Sequence, residues 1–167
     1  MTAFIELKWP KERFARSINV EYDRDGPALD GYIPVGRTVD AVSRIARGLA
    51  NGHAESAFSV TGPYGSGKSS FAVLLDALFG PVTEPSRTTA HELIRTVSPE
   101  VAQLVEEARN SYDADTTGFI RAVITAEREP IAVTVLRALM HGVERFEPPA
   151  KAKQALNAVA KDIREMH

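Results

Sequence analysis

Gly62-Pro63-Tyr64-Gly65-Ser66-Gly67-Lys68-Ser69 satisfies the pattern G-x-x-x-x-G-K-S, and it constrains the chain more than any other segment. The pattern asks for a strand before it and a helix after it. Ser56-Ala57-Phe58-Ser59-Val60-Thr61 is short, β-branched and aromatic, which predicts a buried strand entering the loop. The run from Ser70 to Phe79 is rich in helix formers and closed by Gly80-Pro81, which predicts a helix leaving it. A glycine turn with an incidental lysine is the plain alternative. Strand, loop and helix in that order argue against it.

The residue types follow from the chemistry of a phosphate chain. Backbone amides must turn inward around the phosphates, and side chains at the glycine positions would obstruct that wrapping. Gly62, Gly65 and Gly67 supply the freedom, Pro63 stiffens the entry, and Tyr64 and Ser66 complete the run. The amides of Lys68, Ser69 and Ser70 open the helix, where the peptide dipoles add partial positive charge. Lys68 is expected to reach the β- and γ-phosphates, and the Ser69 hydroxyl to ligate Mg²⁺. The expected ligand is therefore ATP with Mg²⁺.

Composition narrows the partners. The chain has 167 residues, 44% hydrophobic and 25% charged, which is enough for one globular domain with a sizeable core. A formal net charge of −2 supplies no field that would draw the whole chain to nucleic acid or to a membrane. With no cysteine, disulfides, thiolate metal sites and cysteine nucleophiles are excluded. The four histidines, His53, His91, His141 and His167, have no metal-ligand spacing. The first residues are not a signal peptide and no segment has the length of a membrane span, so a nucleotide ligand implies the cytoplasm.

Along the chain, residues 1–35 read as an irregular N-terminal arm, with turn signals at Asp25-Gly26-Pro27 and a short strand near Ser17–Tyr22. Val39, Val42, Ile45, Ala46 and Leu49 recur at helical spacing and predict an amphipathic helix over 38–50. The stretch from Pro81 to Thr89 reads as turns, because Pro85 and Ser86 discourage regular structure. Ala90–Val97 reads as a helix, and Ser98-Pro99-Glu100 as the start of another. Phe119–Thr125 predicts a second strand, Ile131–Phe146 an apolar and buried helix, and the region after Glu147-Pro148-Pro149 a last helix with Leu156, Val159, Ala160 and Ile163 on one stripe.

Tyr32-Ile33-Pro34-Val35-Gly36-Arg37, followed by a helix and then the phosphate loop, resembles the start of AAA+ and related signalling ATPases. The loop and its helix resemble the N-terminal ATPase segment of large bacterial proteins, several of them from defence or DNA-processing gene clusters. The resemblance covers residues 30–146, and its specific element is the Walker A loop. It implies that Ile33 and Val35 lie beside the adenine, with Arg37 near it. It also implies an α/β P-loop NTPase-like fold, a three-layer α/β/α arrangement with an incomplete parallel sheet, an irregular arm and extra helices. The expected division is an arm at 1–35, a partial nucleotide-binding domain at 36–146 and a C-terminal helix at 147–167.

Hydrolysis needs an acid at a second strand end. The nearest candidate is Glu127, separated from the apolar run by Thr125 and Ala126. A carboxylate at the start of the helix after Pro130 accounts for Glu127 and Glu129 more simply. Arg121, Arg128 and Arg137 read as surface or helix-end residues rather than an arginine finger. With Lys68 and Glu127 as the catalytic pair, the expectation is an ATP-binding part of a larger ATPase, working with protein partners or further domains. A non-hydrolysing nucleotide-dependent switch is the alternative, and a small-molecule kinase, lacking an arginine-rich lid, is a third.

Overall fold

The computed structural model describes residues 18–23, 26–52, 57–146, and positions 154, 155, 157, 158 and 161 of a C-terminal helix. A 3₁₀ turn at Gly26–Leu29 precedes five helices: α1 (Gly36–Ala50), α2 (Lys68–Leu78), α3 (Pro85–Val97), α4 (Pro99–Asn110) and α5 (Ile131–Phe146). The expected strand at Ser17–Tyr22 and the stripe Leu156, Val159, Ala160 and Ile163 lie wholly or partly outside the described residues. Within the described part of the arm, Asn19–Asp23 is a turn closed by the Asp23 amide on the Asn19 carbonyl at 2.7 Å.

The apolar spacing of α1 buries Val42 and Ala46 against α4, which returns Val105 and Ala108 to the same core. Helix α2 is apolar around most of its circumference, and Phe71, Val73, Leu74, Ala77 and Leu78 are all buried. It packs on α3 and on the 3₁₀ turn, whose Leu29 is fully enclosed. Burying a side chain of this size contributes roughly 1.5–3 kcal/mol. The core is therefore helix on helix, with α3 packed against α2, α4 and the 3₁₀ turn.

Ser98 separates α3 from α4 and serves both. Its amide closes α3 on the Ile94 carbonyl at 2.8 Å, and its hydroxyl accepts from the Val101 amide at 3.4 Å to open α4. The two helices return antiparallel, and Arg87 pairs with Glu106 across them. The turn-like reading of 81–89 holds for 81–84 and is corrected from Pro85 onward. Pro85 is the first residue of α3, where its missing N–H costs nothing and its fixed φ suits a helix start.

The α/β expectation is overturned: among the described residues there is no β-strand, so there is neither a parallel sheet nor a three-layer α/β/α arrangement. The two segments read as strands are irregular and do not pair with each other. Ala57–Thr61 is exposed, and no hydrogen bond among the described residues reaches it. In the segment from Phe119 to Thr125, the two ends are bonded by neighbours other than a strand. The Phe119 amide donates to the Phe79 carbonyl at 2.9 Å, the Thr125 amide to the Glu21 carboxylate, and the Thr125 carbonyl accepts from Arg137. β-Branched composition favours a strand only where another strand completes its ladder, and among the described residues no strand lies beside either segment.

Helix α5 is also less buried than its composition implied. Leu136, Ala138 and Val143 face inward, whereas Ile131, Val135 and Leu139 are 77%, 50% and 40% exposed. Those three recur at intervals of four and form one outward apolar stripe.

Candidate functional site

The glycine loop makes a tight turn between the irregular segment and α2. Gly65 and Gly67 have φ of 78° and 82°, a left-handed conformation that a side chain resists. Gly67 is also the residue at which α2 begins, and the Phe71 amide donates to its carbonyl at 2.9 Å. At Gly62 a Cβ would stand 2.8 Å from Ser66 Oγ, so a side chain there would have to turn the Ser66 hydroxyl aside. The Ser66 amide donates back to the Pro63 carbonyl at 3.3 Å, which closes the turn.

Lys68 is folded into its own loop. Its Nζ donates to the carbonyls of Gly62 at 2.9 Å and Pro63 at 2.8 Å, and stands 3.5 Å from Ser66 Oγ. The helix start behind it carries no side-chain cap and no acidic residue in its first turn. Its first amides therefore keep their donors and about half a positive charge for an external acceptor. Ser69 is exposed, Ser70 is buried, and Tyr64 stands outward at 92% exposure.

At its other end α2 meets cations. Arg109 is fully buried and donates through Nη1 to the carbonyls of Leu78 at 3.1 Å and Gly80 at 2.8 Å, and through Nη2 to Asp115 at 2.8 Å. Burial, with the charge of Arg87 adding to it, pushes the Arg109 guanidinium below its ordinary value, while Glu106 and Asp115 oppose the shift. Arg121 donates to the Asp76 carbonyl at 2.9 Å and to both Asp76 Oδ2 and Glu84. The surface or helix-end reading of Arg121 is thus corrected, since its side chain is largely buried among two carboxylates. Arg145 of α5 reaches the same pair, 3.4 Å from Asp76 Oδ1.

The other expected site residues are placed as follows. Val35 is exposed and precedes α1, and Arg37 is exposed in the first turn of α1. Among the described residues no hydrogen bond or ion pair joins either to the loop. Ile33 lines a separate apolar cavity of about 550 Å³ between the Tyr32–Pro34 segment and α3. Glu127 accepts from Arg137 Nη1 at 3.1 Å, and this bond holds the Arg137 guanidinium above its ordinary value. Glu129 accepts from Thr134 Oγ1 at 2.8 Å and from Arg137 at 2.7 Å, anchoring the first turn of α5.

Sequence reading missed the buried charges. Asp76 sits in Val73-Leu74-Leu75-Asp76-Ala77-Leu78-Phe79, an apolar run on both sides, and a carboxylate so placed needs a cation. That was the available signal. No signal identified which arginines would answer it, because Arg121 and Arg145 lie far along the chain. Compared with known proteins, the chain matches no family model, no curated protein and no solved structure.

Proposed function

We propose that Gly62–Ser70 binds the phosphates of ATP with Mg²⁺, and that the chain acts as a nucleotide-responsive module. The observation that carries the reading is the joint arrangement of the left-handed glycines, the inward-turned Lys68 ammonium and the uncapped start of α2. A phosphate group fits it on each count: amides to donate, a cation within the loop, and no acidic residue in the first turn of α2. Lys68 would exchange the Gly62 and Pro63 carbonyls for β- and γ-phosphate oxygens. The exposed Ser69 hydroxyl would take a place on Mg²⁺, which supplies charge neutralisation between the phosphates when bound.

The reading stops at binding. Glu127 is engaged by Arg137, and Lys68 bonds to the carbonyls of Gly62 and Pro63 rather than to a carboxylate. Water activation is therefore assigned to none of the described residues. Action within a larger ATPase assembly, in the cytoplasm where ATP is abundant, is the context proposed for the module. Among the described residues no helix is long and apolar enough to cross a membrane.

Calorimetric titration with Mg-ATP tests the reading. Lys68→Ala removes a charge-assisted contact worth roughly 1.5–3 kcal/mol, so affinity should fall by about 10- to 100-fold. Among the described residues the hydrogen bonds of the Lys68 ammonium all lie within its own loop, so the helix content of the variant should be unchanged. Equal affinity in both proteins would refute the assignment, and phosphate release by the isolated chain would refute the limit to binding.

A further inference from the structure

A second cleft, of about 510 Å³, opens between α5 and the loops around residues 81–83 and 116–121. The polar residues of its lining are Arg121, Arg145, Thr83, Thr116 and Thr117. Phe119 and Phe146 contribute aromatic wall. The two carboxylates that balance the arginines, Asp76 and Glu84, do not line it. The Asp76 side chain is buried, at 3% exposure, and Glu84, although 34% exposed, lies outside the lining. Among the described residues the lining therefore presents two cations and apolar faces and no carboxylate.

The two arginines differ in what they have left to give. Arg121 directs Nη1 at the Asp76 carbonyl, Asp76 Oδ2 and Glu84 Oε2, and Nη2 at Glu84 Oε1, all between 2.7 and 3.2 Å. Arg145 is held by one long bond, 3.4 Å to Asp76 Oδ1, and stands 4.0 Å from Glu84 Oε1. Its side chain is also 29% exposed, against 10% for Arg121. The Arg145 fork is thus the one able to turn to a new partner without unseating the buried Asp76, which Arg121 continues to hold.

We propose that this cleft binds a small planar carboxylate of the aromatic-acid class, with the carboxylate on the Arg145 fork and the ring against Phe119 and Phe146. A carboxylate matches the guanidinium in a bidentate manner, and a flat ring suits walls of this kind. The cleft volume lies within the range of small-molecule sites. Two arginines and two carboxylates leave the surroundings without net charge, so recognition comes from the fork's geometry rather than from an attractive field.

Titration of the full chain with sodium benzoate, followed by amide NMR, tests this. The expected result is saturable shifts confined to residues around 81–83, 116–121 and 142–146, with a dissociation constant of about 1 mM for a ligand of this size. Benzamide, equal in shape but uncharged, should bind at least about tenfold more weakly, and Arg145→Lys should weaken benzoate by about tenfold with its melting temperature unchanged. Non-saturating shifts, equal binding of benzamide, or full affinity in Arg145→Lys would each overturn the proposal. Lys68→Ala should leave the benzoate titration as it is, which separates this site from the nucleotide site.

Discussion

The Lys68 ammonium lies on the Gly62 and Pro63 carbonyls because a cation in so short a loop takes the nearest oxygens available. Residues at this scale act through a few atoms, and Gly118 is the sharpest case. It has a φ of 70°, and a Cβ there would lie 2.5 Å from the Gly80 carbonyl carbon. Strain in the left-handed region and a backbone clash both oppose a side chain. Gly118→Ala should therefore cost about 2–4 kcal/mol, read from a denaturant midpoint. The loop from Gly62 to Ser69 was legible because its pattern is local: eight consecutive residues carry it. Arg109 was not legible, because its acceptors Leu78 and Gly80 are about thirty positions away and an arginine in sequence looks like surface.

At the scale of elements, α2 is complemented at both ends. Its first amides face the glycine loop, and its last carbonyls receive Arg109, with Arg121 on the Asp76 carbonyl. Cations are favoured at a helix C-terminus by the same dipole that favours anions at its start. Removing Arg109 would leave the carbonyls of Leu78 and Gly80 enclosed without this donor, the Asp115 carbonyl without its bond, and Glu106 without its neighbour at 3.7 Å. Arg109→Ala should destabilise the protein by about 3–5 kcal/mol, measured by urea unfolding, with α2 losing amide protection first. The periodic apolar positions of α1, α4 and α5 were legible as helices, since a helix satisfies its own backbone. The strands were not, because a strand depends on a partner that no local run of residues can announce. Ala57–Thr61 and Phe119–Thr125 both had the composition, and among the described residues neither lies beside a strand. Pro85 was misread as a breaker when its position made it a starter.

For the molecule as a whole, the helical core accounts for the stability while apolar surface remains outside it. Ile131, Val135 and Leu139 stand out from α5, and Phe58 and Val60 from the segment entering the loop. The segment Ala57-Phe58-Ser59-Val60-Thr61 carries no charge and no proline, and its backbone donors and acceptors are open to solvent. In colloidal terms such a stretch is a template for self-association, and its danger grows with protein concentration. Concentrated solutions of the chain should scatter light increasingly with time. Ser59→Lys, a gatekeeper charge placed in the middle of the stretch, should suppress that scattering without moving the unfolding midpoint. The same five residues that deliver the chain to its glycine loop thus set an upper limit on how much of the protein can be kept in solution.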